Sequence, residues 1–473
     1  MGKIKFGTDG WRAVIADDFT FANVARVAQA IADYYQTQPD KEKGLVVGYD
    51  ARFLSREFAQ EMVEVLAGNG ILVILSSEDI PTQCISFVIE DRELAGGVII
   101  TASHNPPKYN GIKIRASFGG SAPAQVTERI EVLLGKNRVR KLALKEAAKK
   151  RLIKIEDLAR GYLKKVESFL DKDLIRKAHL RIVHDSMFGV GDGFIEKLLA
   201  KSECEVITIH RKYNPGFGGL NPEPIEKNLE DLKRKVREVG ADLGIATDGD
   251  ADRAGVVDDK GRYLTPHQVF SLLLLYLVEG RKMRGGVVKT VSLGYQPERI
   301  AREFALSLDE VPVGFKYVCD KMQEKKILLG GEESGGYGFR DYLMERDGIL
   351  SSLLFVEMIT KIGRPLSFIL DNMEDRFGAS FFRRIDFEET EINKEEMIKK
   401  LSSSTPSSLG GVPLREIKTI DGIKFIMKDD SWLLIRPSGT EPKVRVYAEA
   451  ADEVRLNKII EEGVQLVKET IFS

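Results

Sequence analysis

Cysteine is scarce in this chain: three residues in 473, Cys84, Cys204 and Cys319, far apart in sequence. That excludes a disulfide framework and a CxxC metal site and fits a reducing, cytoplasmic setting. An excess of one charge is also missing. Lys and Arg number 71 against 72 Asp and Glu, a formal net charge of -1. A protein that coats nucleic acid would be basic, so no nucleic-acid partner is expected. A few arginines gathered in a cleft would still focus an anionic substrate. Long apolar runs are absent too. The longest, Val269 to Val278, is about half of what crosses a bilayer, and the first residues, MGKIKFGTDG, lack the apolar centre of a secretory signal. No membrane partner is expected. The five histidines (His104, His179, His184, His210, His267) have no zinc-ligand spacing. No Walker A pattern occurs, and Gly189-Val190-Gly191-Asp192-Gly193 is followed by Phe194 where a dinucleotide fingerprint needs its last glycine.

What is present is a soluble, core-forming composition, 43% hydrophobic and 30% charged. A short apolar run, a polar or glycine-rich loop and a helical stretch recur along the chain. The runs begin at Leu45, Gly97, Leu180, Leu243, Gly286 and Ile327. This alternation reads as βαβ units with mainly parallel sheets, whose ligands sit beyond the C-terminal strand ends. Residues 135–178 are strongly charged and helical in pattern and read as a connector. After about residue 372 the texture changes to a charged strand-like stretch, Arg383 to Glu391, a Ser/Pro-rich loop, Ser402 to Leu409, then alternating strands and a final helix. The expectation is three doubly wound, mixed or parallel α/β domains (1–150, 151–258, 259–372) plus a C-terminal α+β domain (373–473).

Four loops have the composition for chemistry. Thr101-Ala102-Ser103-His104-Asn105-Pro106 follows the run Val98 to Ile100, and a hydroxyl at a strand end is a candidate nucleophile as well as an ordinary turn residue. The G-x-S-x-G elbow of a serine hydrolase is absent. Asp248-Gly249-Asp250-Ala251-Asp252-Arg253 sets three carboxylates at alternate positions, a pattern able to converge on one hard cation. It is not an EF-hand, because Arg253 stands where glycine is required. Gly330-Gly331-Glu332-Glu333-Ser334-Gly335-Gly336 offers carboxylate and hydroxyl partners for sugar hydroxyls from a close backbone. Arg436-Pro437-Ser438-Gly439-Thr440-Glu441-Pro442, followed by Lys443 and Arg445, has the makings of a phosphate nest.

Together, in this order, the four loops resemble those of the α-D-phosphohexomutases, as do Phe6-Gly7-Thr8-Asp9-Gly10-Trp11-Arg12 and the segment Asn214 to Pro224. The resemblance runs from residue 6 to about 449. It implies a four-domain fold around a central cleft, a phosphorylated Ser103, and Mg²⁺ held by Asp248, Asp250, Asp252 and the group on Ser103. It implies transfer of the phosphoryl group between Ser103 and a hexose monophosphate through a hexose 1,6-bisphosphate, which also acts as activator. Lys113 is similar to a family lysine near the phosphoserine, a general-base candidate where neighbouring cations lower its pKa. Arg12 and His104 join it as catalytic candidates. Arg253, Lys289, Lys316, Glu332, Ser334, Arg436, Ser438, Gly439, Thr440 and Arg445 are the implied substrate contacts. Glu332-Glu333-Ser334 with Phe315-Lys316, and Gly336 where some dual-specificity members have histidine, is most similar to glucomutase-type members. The expected reaction interconverts glucose 1- and 6-phosphate. A phosphomannomutase or dual-specificity enzyme is the nearest alternative, and a Mg²⁺-dependent sugar phosphatase or a sugar-phosphate sensor the more distant ones. Monomer and homodimer are both compatible with the composition.

Overall fold

The computed structural model describes residues 4–472 apart from 8, 212, 389–393, 404 and 438–442. The first sheet contains β1 (Trp11–Val14), β2 (Leu45–Tyr49), β3 (Val73–Ser76), β4 (Gly96–Ile100), β5 (Tyr109–Ala116) and β6 (Ile153–Glu156). The second contains β7 (Arg181–Asp185), β8 (Glu205–Ile209), β9 (Leu243–Thr247), β10 (Ala254–Asp258) and β11 (Tyr263–Leu264). The third contains β12 (Gly286–Thr290), β13 (Leu308–Val311), β14 (Ile327–Gly331) and β15 (Tyr337–Phe339). The fourth contains β16 (Phe381–Glu388), β17 (Ser408–Leu409), β18 (Val412–Lys418), β19 (Ile423–Met427), β20 (Trp432–Pro437) and β21 (Lys443–Ala450). The central strands β2, β4, β9, β12 and β14 are buried at every residue, which is why they read as unbroken apolar runs rather than alternating ones.

The first three sheets share one topology. In each, two strands pair in parallel on either side of the first, and the third strand then turns back into an antiparallel partner. The orders are β5-β4-β2-β3, β10-β9-β7-β8 and β15-β14-β12-β13. The reversing hairpins are β4–β5, β9–β10 and β14–β15. Their tips carry the serine loop, the Asp248–Asp252 loop and the Glu332–Ser334 loop. The fourth sheet is antiparallel, and its β20–β21 hairpin carries the Arg436 loop. The first three candidate loops are thus hairpin tips at the ends of buried strands, while residues 438–442 of the fourth lie outside the described residues.

Two segments differ from their sequence patterns. The stretch 135–178 is not a helical connector throughout: its residues Ile153–Glu156 form β6, paired in parallel with β3, so the first sheet extends past residue 150. As an edge strand it leaves both Lys154 and Ile155 exposed, so it shows no clean inward–outward alternation. In the C-terminal region the Ser/Pro-rich stretch begins inside the helix Lys394–Ser403 and ends in β17, and the end of the Arg383–Glu391 stretch lies outside the described residues.

One hydrophobic core runs through the first three domains, joining Val46 and Ile99 to Tyr162, Leu243, Phe270, Leu329 and Leu350. The fourth domain has its own core around Phe425, Leu433, Val446 and Ile459, and meets the third through Val291 and Tyr295 against Trp432 and Tyr447. Charge reinforces this joint. Glu449 accepts from Trp432 Nε1 at 2.6 Å and from the Tyr295 amide at 3.0 Å. Lys424 donates to the Val291 carbonyl at 2.6 Å. Burial, aided by the neighbouring charge of Lys289, lowers Lys424 to about 8.

Asp347 caps the helix Gly348–Ile362 by accepting from the Leu350 amide at 2.8 Å. It also accepts from Tyr342 Oη at 2.6 Å and Tyr162 Oη at 2.9 Å. Burial raises its pKa to about 6 although each of these hydrogen bonds works the other way. A carboxyl that holds its proton more tightly folded than unfolded stabilises the fold most at low pH. That contribution is lost as pH rises from about 4 through about 6. Asp347→Asn is therefore expected to gain stability relative to the wild type between pH 4.5 and 7, on the order of 2–3 kcal/mol. Paired denaturant melts at the two pH values check this, and a pH-independent difference would refute it.

Candidate active site

Ser103 stands at the β4–β5 tip with φ +51°, a left-handed conformation uncommon for a residue with a side chain. Its amide donates to Thr101 Oγ1 at 2.8 Å. Arg52, which the sequence pattern did not single out, clamps this loop. The Arg52 guanidinium donates to the carbonyls of Ser103 and Asn105 at 2.6 Å and of Pro106 and Tyr109 at 3.0 Å. Asp50 lies 3.3 Å from it, and the ring of Phe217 covers it at 4.8 Å. The segment Asn214 to Pro224 therefore contributes a lid over the clamp. Arg12, on β1, donates to Asn105 Oδ1 at 2.7 Å.

The three aspartates of the β9–β10 tip come up against this serine from the second domain. Ser103 Oγ donates to Asp248 Oδ2 at 2.7 Å. The approach requires glycine between the first two carboxylates, because a Cβ on Gly249 would meet the Ser103 carbonyl at 2.5 Å. Asp250 Oδ2 accepts from Thr82 Oγ1 and from Lys113 Nζ, each at 2.7 Å. Asp252 Oδ2 accepts from Lys113 at 2.9 Å and from Arg346 at 2.7 Å. One oxygen from each aspartate lies within 4.8 Å of the others, and among the described residues no other trio of His, Cys, Asp or Glu does this. Asp250 Oδ1 and Asp252 Oδ1 are buried with no hydrogen-bond partner. A buried all-oxygen donor set with unused lone pairs fits a hard divalent cation.

Electrostatics separates the three carboxylates. Burial, then the charges of Asp250 and Asp252, push Asp248 well above the usual carboxylate range. Burial alone would raise Asp250 too, but the charge and hydrogen bond of Lys113 outweigh it and hold Asp250 low. The expectation for Lys113 itself is reversed. Burial lowers its pKa, but Asp250, Asp252 and Asp9 (3.1 Å) more than restore it and hold the ammonium protonated. The lysine is crowded by anions rather than cations. His104 goes the other way: burial, then Arg253, Arg12, Lys113 and Arg52, hold its ring neutral, with Nδ1 3.4 Å from Ser103 Oγ.

At the β14–β15 tip, Glu332 Oε2 accepts from Arg346 at 3.0 Å and from Ser334 Oγ at 3.4 Å, so the two expected sugar-facing groups do converge. Glu333 accepts from Ser292 and Thr290. Lys316 is half-buried in the first turn of the helix Phe315–Glu324, its ammonium 4.9 Å from the ring of Tyr317. Arg253 lies 3.7 Å from Glu223. Lys289 is placed differently from the expectation. It is fully buried, donating to the carbonyls of Leu293 and Gly294 and ion-paired with Glu298 (2.8 Å) and Glu310 (3.1 Å), the last of which also pairs with Lys424 of the fourth domain. From the fourth domain, Arg436 Nε pairs with Asp421 at 2.6 Å; burial works against its charge, but Asp421 and, across the domain boundary, Glu333 help to outweigh it. Arg445 stands opposite Arg436 in the β20–β21 register and 3.8 Å from Asp386. Ser438, Gly439 and Thr440 lie outside the described residues.

Family models match the chain in four consecutive pieces. They describe phosphoglucomutase/phosphomannomutase alpha/beta/alpha domain I (residues 3–141), domain II (160–261), domain III (265–377) and C-terminal domain (390–466). A protein of Thermococcus kodakarensis named "Phosphoglucomutase/phosphomannomutase" is 29% identical over 475 residues, covering 100% of both chains. One of Methanosphaera stadtmanae named "Probable phosphoglucosamine mutase" is 31% identical over 463 residues, covering 96% of each. A crystal structure from Thermus thermophilus superposes with a TM-score of 0.87 at 34% identity, covering 99% of each chain. The order of the four domains, the full-length matches and the hairpin-tip site lead to one conclusion: the chain belongs to the phosphoglucomutase/phosphomannomutase family, the α-D-phosphohexomutases.

Proposed function

We propose that the protein interconverts α-D-glucose 1-phosphate and glucose 6-phosphate, with Ser103 as the phosphoryl relay and Mg²⁺ at the aspartate trio. The observation that carries this reading is the 2.7 Å contact between Ser103 Oγ and Asp248 Oδ2, which joins a strand-end nucleophile to a cation-ready carboxylate cluster from another domain. A cation bound by Asp248, Asp250 and Asp252 supplies charge neutralisation for phosphate oxygens.

The chain's own residues do the rest. The Oγ–P bond of phosphorylated Ser103 breaks as the free hydroxyl of the hexose monophosphate forms a new O–P bond, and the hydroxyl's proton leaves to a neighbouring base. In the second half the other phosphate of the bisphosphate returns to Ser103 Oγ, so atoms and charge balance over the cycle. Of the two, only His104 offers a free lone pair, since Lys113 is held as an ammonium; burial and the surrounding cations make that ring a weak base, so it accepts the proton only as the phosphoryl group on Ser103 offsets those cations. Arg52 keeps the serine loop rigid between the half-reactions. Arg436 and Arg445 grip the phosphate that is not reacting, and Glu332 and Ser334 hold sugar hydroxyls in either orientation. Glucose is favoured by the Glu332-Glu333-Ser334 sequence with Phe315-Lys316.

Turnover tests the reading. Glucose 1-phosphate, mannose 1-phosphate and glucosamine 1-phosphate are supplied in parallel with Mg²⁺ and a trace of glucose 1,6-bisphosphate, and free phosphate is monitored. Isomerisation without phosphate release, with the highest kcat/KM on glucose 1-phosphate, is expected. A higher value on glucosamine 1-phosphate would overturn the sugar, and phosphate release without isomerisation would overturn the mutase.

A further inference from the structure

Arg346 sits between two groups that the mechanism treats separately. It follows β15 in the chain, just ahead of the helix capped by Asp347, and is 4% exposed. One terminal nitrogen, Nη1, donates to Glu332 Oε2 at 3.0 Å. The other, Nη2, donates to Asp252 Oδ2 at 2.7 Å and to Asp9 Oδ2 at 2.8 Å. Nε lies 3.6 Å from Glu345. The guanidinium also lies over the ring of Phe315 at 5.3 Å. A planar fork with fixed donor directions sets the orientation of every carboxylate it holds. By occupying Asp252 Oδ2 it leaves Asp252 Oδ1 as the buried oxygen without a partner. The same plane fixes Glu332, the carboxylate assigned to the sugar.

Gly336 explains how the arginine reaches there. A Cβ built on Gly336 would fall 2.2 Å from Arg346 Cδ and 2.9 Å from its Cγ. The stem of Arg346 therefore fills the volume that any side chain at 336 would need. That stem has no freedom to retreat, because its head is held by Glu332, Asp252 and Asp9.

We propose that Arg346 is a positioning residue that ties the sugar-facing carboxylate of Glu332 and the metal-facing carboxylate of Asp252 to one rigid guanidinium, and that Gly336 and Arg346 form a single paired device. This deepens the proposed function and rests on its assignment of Glu332 to the sugar. The metal half stands independently of it. Sugar-loop geometry and metal affinity should then change together when either member of the pair is altered.

The test is calorimetric titration of the full chain with Mg²⁺ in the absence of any sugar, alongside kcat and KM for glucose 1-phosphate and thermal melts. Arg346→Met is expected to raise the Mg²⁺ Kd about tenfold, the size of effect seen when an outer partner of a metal ligand is lost, and to raise KM. Gly336→Ala leaves every charge in place and touches no aspartate, yet it is expected to weaken Mg²⁺ binding several-fold, with the melting temperature lowered by a few degrees through overpacking against the Arg346 stem. Should Arg346→Met fold poorly, Gly336→Ala decides. An unchanged or tighter Mg²⁺ Kd in Gly336→Ala, with only KM raised, would overturn the proposal and leave Arg346 serving the sugar loop alone. If the wild type isomerises no hexose phosphate while the Mg²⁺ shift is still observed, the mutase reading falls and the metal half of the device stands.

Discussion

Ser103→Ala is expected to lose at least about three orders of magnitude in kcat, because in the proposed relay it removes the atom that would carry the phosphoryl group between the two half-reactions. Partial rescue by water is disfavoured here, since Ser103 is 1% exposed and its loop is pinned by four hydrogen bonds from Arg52. The fold should survive. The substitution deletes the Ser103 Oγ hydrogen bond to Asp248, worth about 1 kcal/mol. Two measurements check this. Isomerisation is followed with coupled detection of glucose 6-phosphate, and intact-protein mass is read after incubation with glucose 1,6-bisphosphate. The wild type should gain the mass of one phosphoryl group and the variant none. A variant that turns over at even a tenth of the wild-type rate would sink the relay.

The repeated architecture shows what residue patterns convey and what they do not. The buried strands β2, β4, β9, β12 and β14 are visible as apolar runs because both faces are covered, and the loops that follow them are visible because polar residues are abrupt after such runs. The shared β5-β4-β2-β3, β10-β9-β7-β8 and β15-β14-β12-β13 order leaves no trace in residue identity. Pairing order is a property of tertiary contacts, and three unrelated sets of hydrophobic residues satisfy it equally well. β6 is hidden for the opposite reason. It is a four-residue edge strand whose exposed Lys154 and Ile155 look like one turn of an amphipathic helix.

The site divides along the same line. Asp248, Asp250, Asp252, Ser103, Glu332 and Ser334 lie at loop tips, where local spacing alone suggests their chemistry. Arg52, Thr82 and Arg346 act through partners 51 to 168 residues away, and no local pattern marks them. Asp9 is an intermediate case: it belongs to the Phe6 to Arg12 segment, but its role appears only once Lys113, Arg115 and Arg346 are seen to converge on it. The direction of the Lys113 shift depends on that convergence. The general-base expectation for Lys113 supposes a buried lysine crowded by cations, and the three carboxylates folded around it reverse the sign.

Asp250→Asn is the second large effect. The amide keeps the shape and can still accept from Thr82, but it removes one of three negative charges that face the cation site. A hard dication held by oxygen ligands depends on that charge count, so the Mg²⁺ Kd is expected to rise by about ten- to a hundredfold and kcat at fixed millimolar Mg²⁺ to fall with it. Asp250 is also a partner of Lys113, and the two roles predict different responses. If Asp250 acts through the cation, saturating Mg²⁺ recovers much of the lost rate. Lys113 should meanwhile stay anchored, because Asp252 at 2.9 Å and Asp9 at 3.1 Å remain. If it acts mainly by holding Lys113, the Mg²⁺ Kd stays near wild type and excess metal recovers nothing. A companion Thr82→Val variant separates the cases further. It removes the 2.7 Å hydroxyl contact to Asp250 Oδ2 without changing any charge, so it should loosen Mg²⁺ binding by less than Asp250→Asn. An equal or larger loss in Thr82→Val would mean that orientation of the carboxylate, rather than its charge, dominates metal binding at this trio.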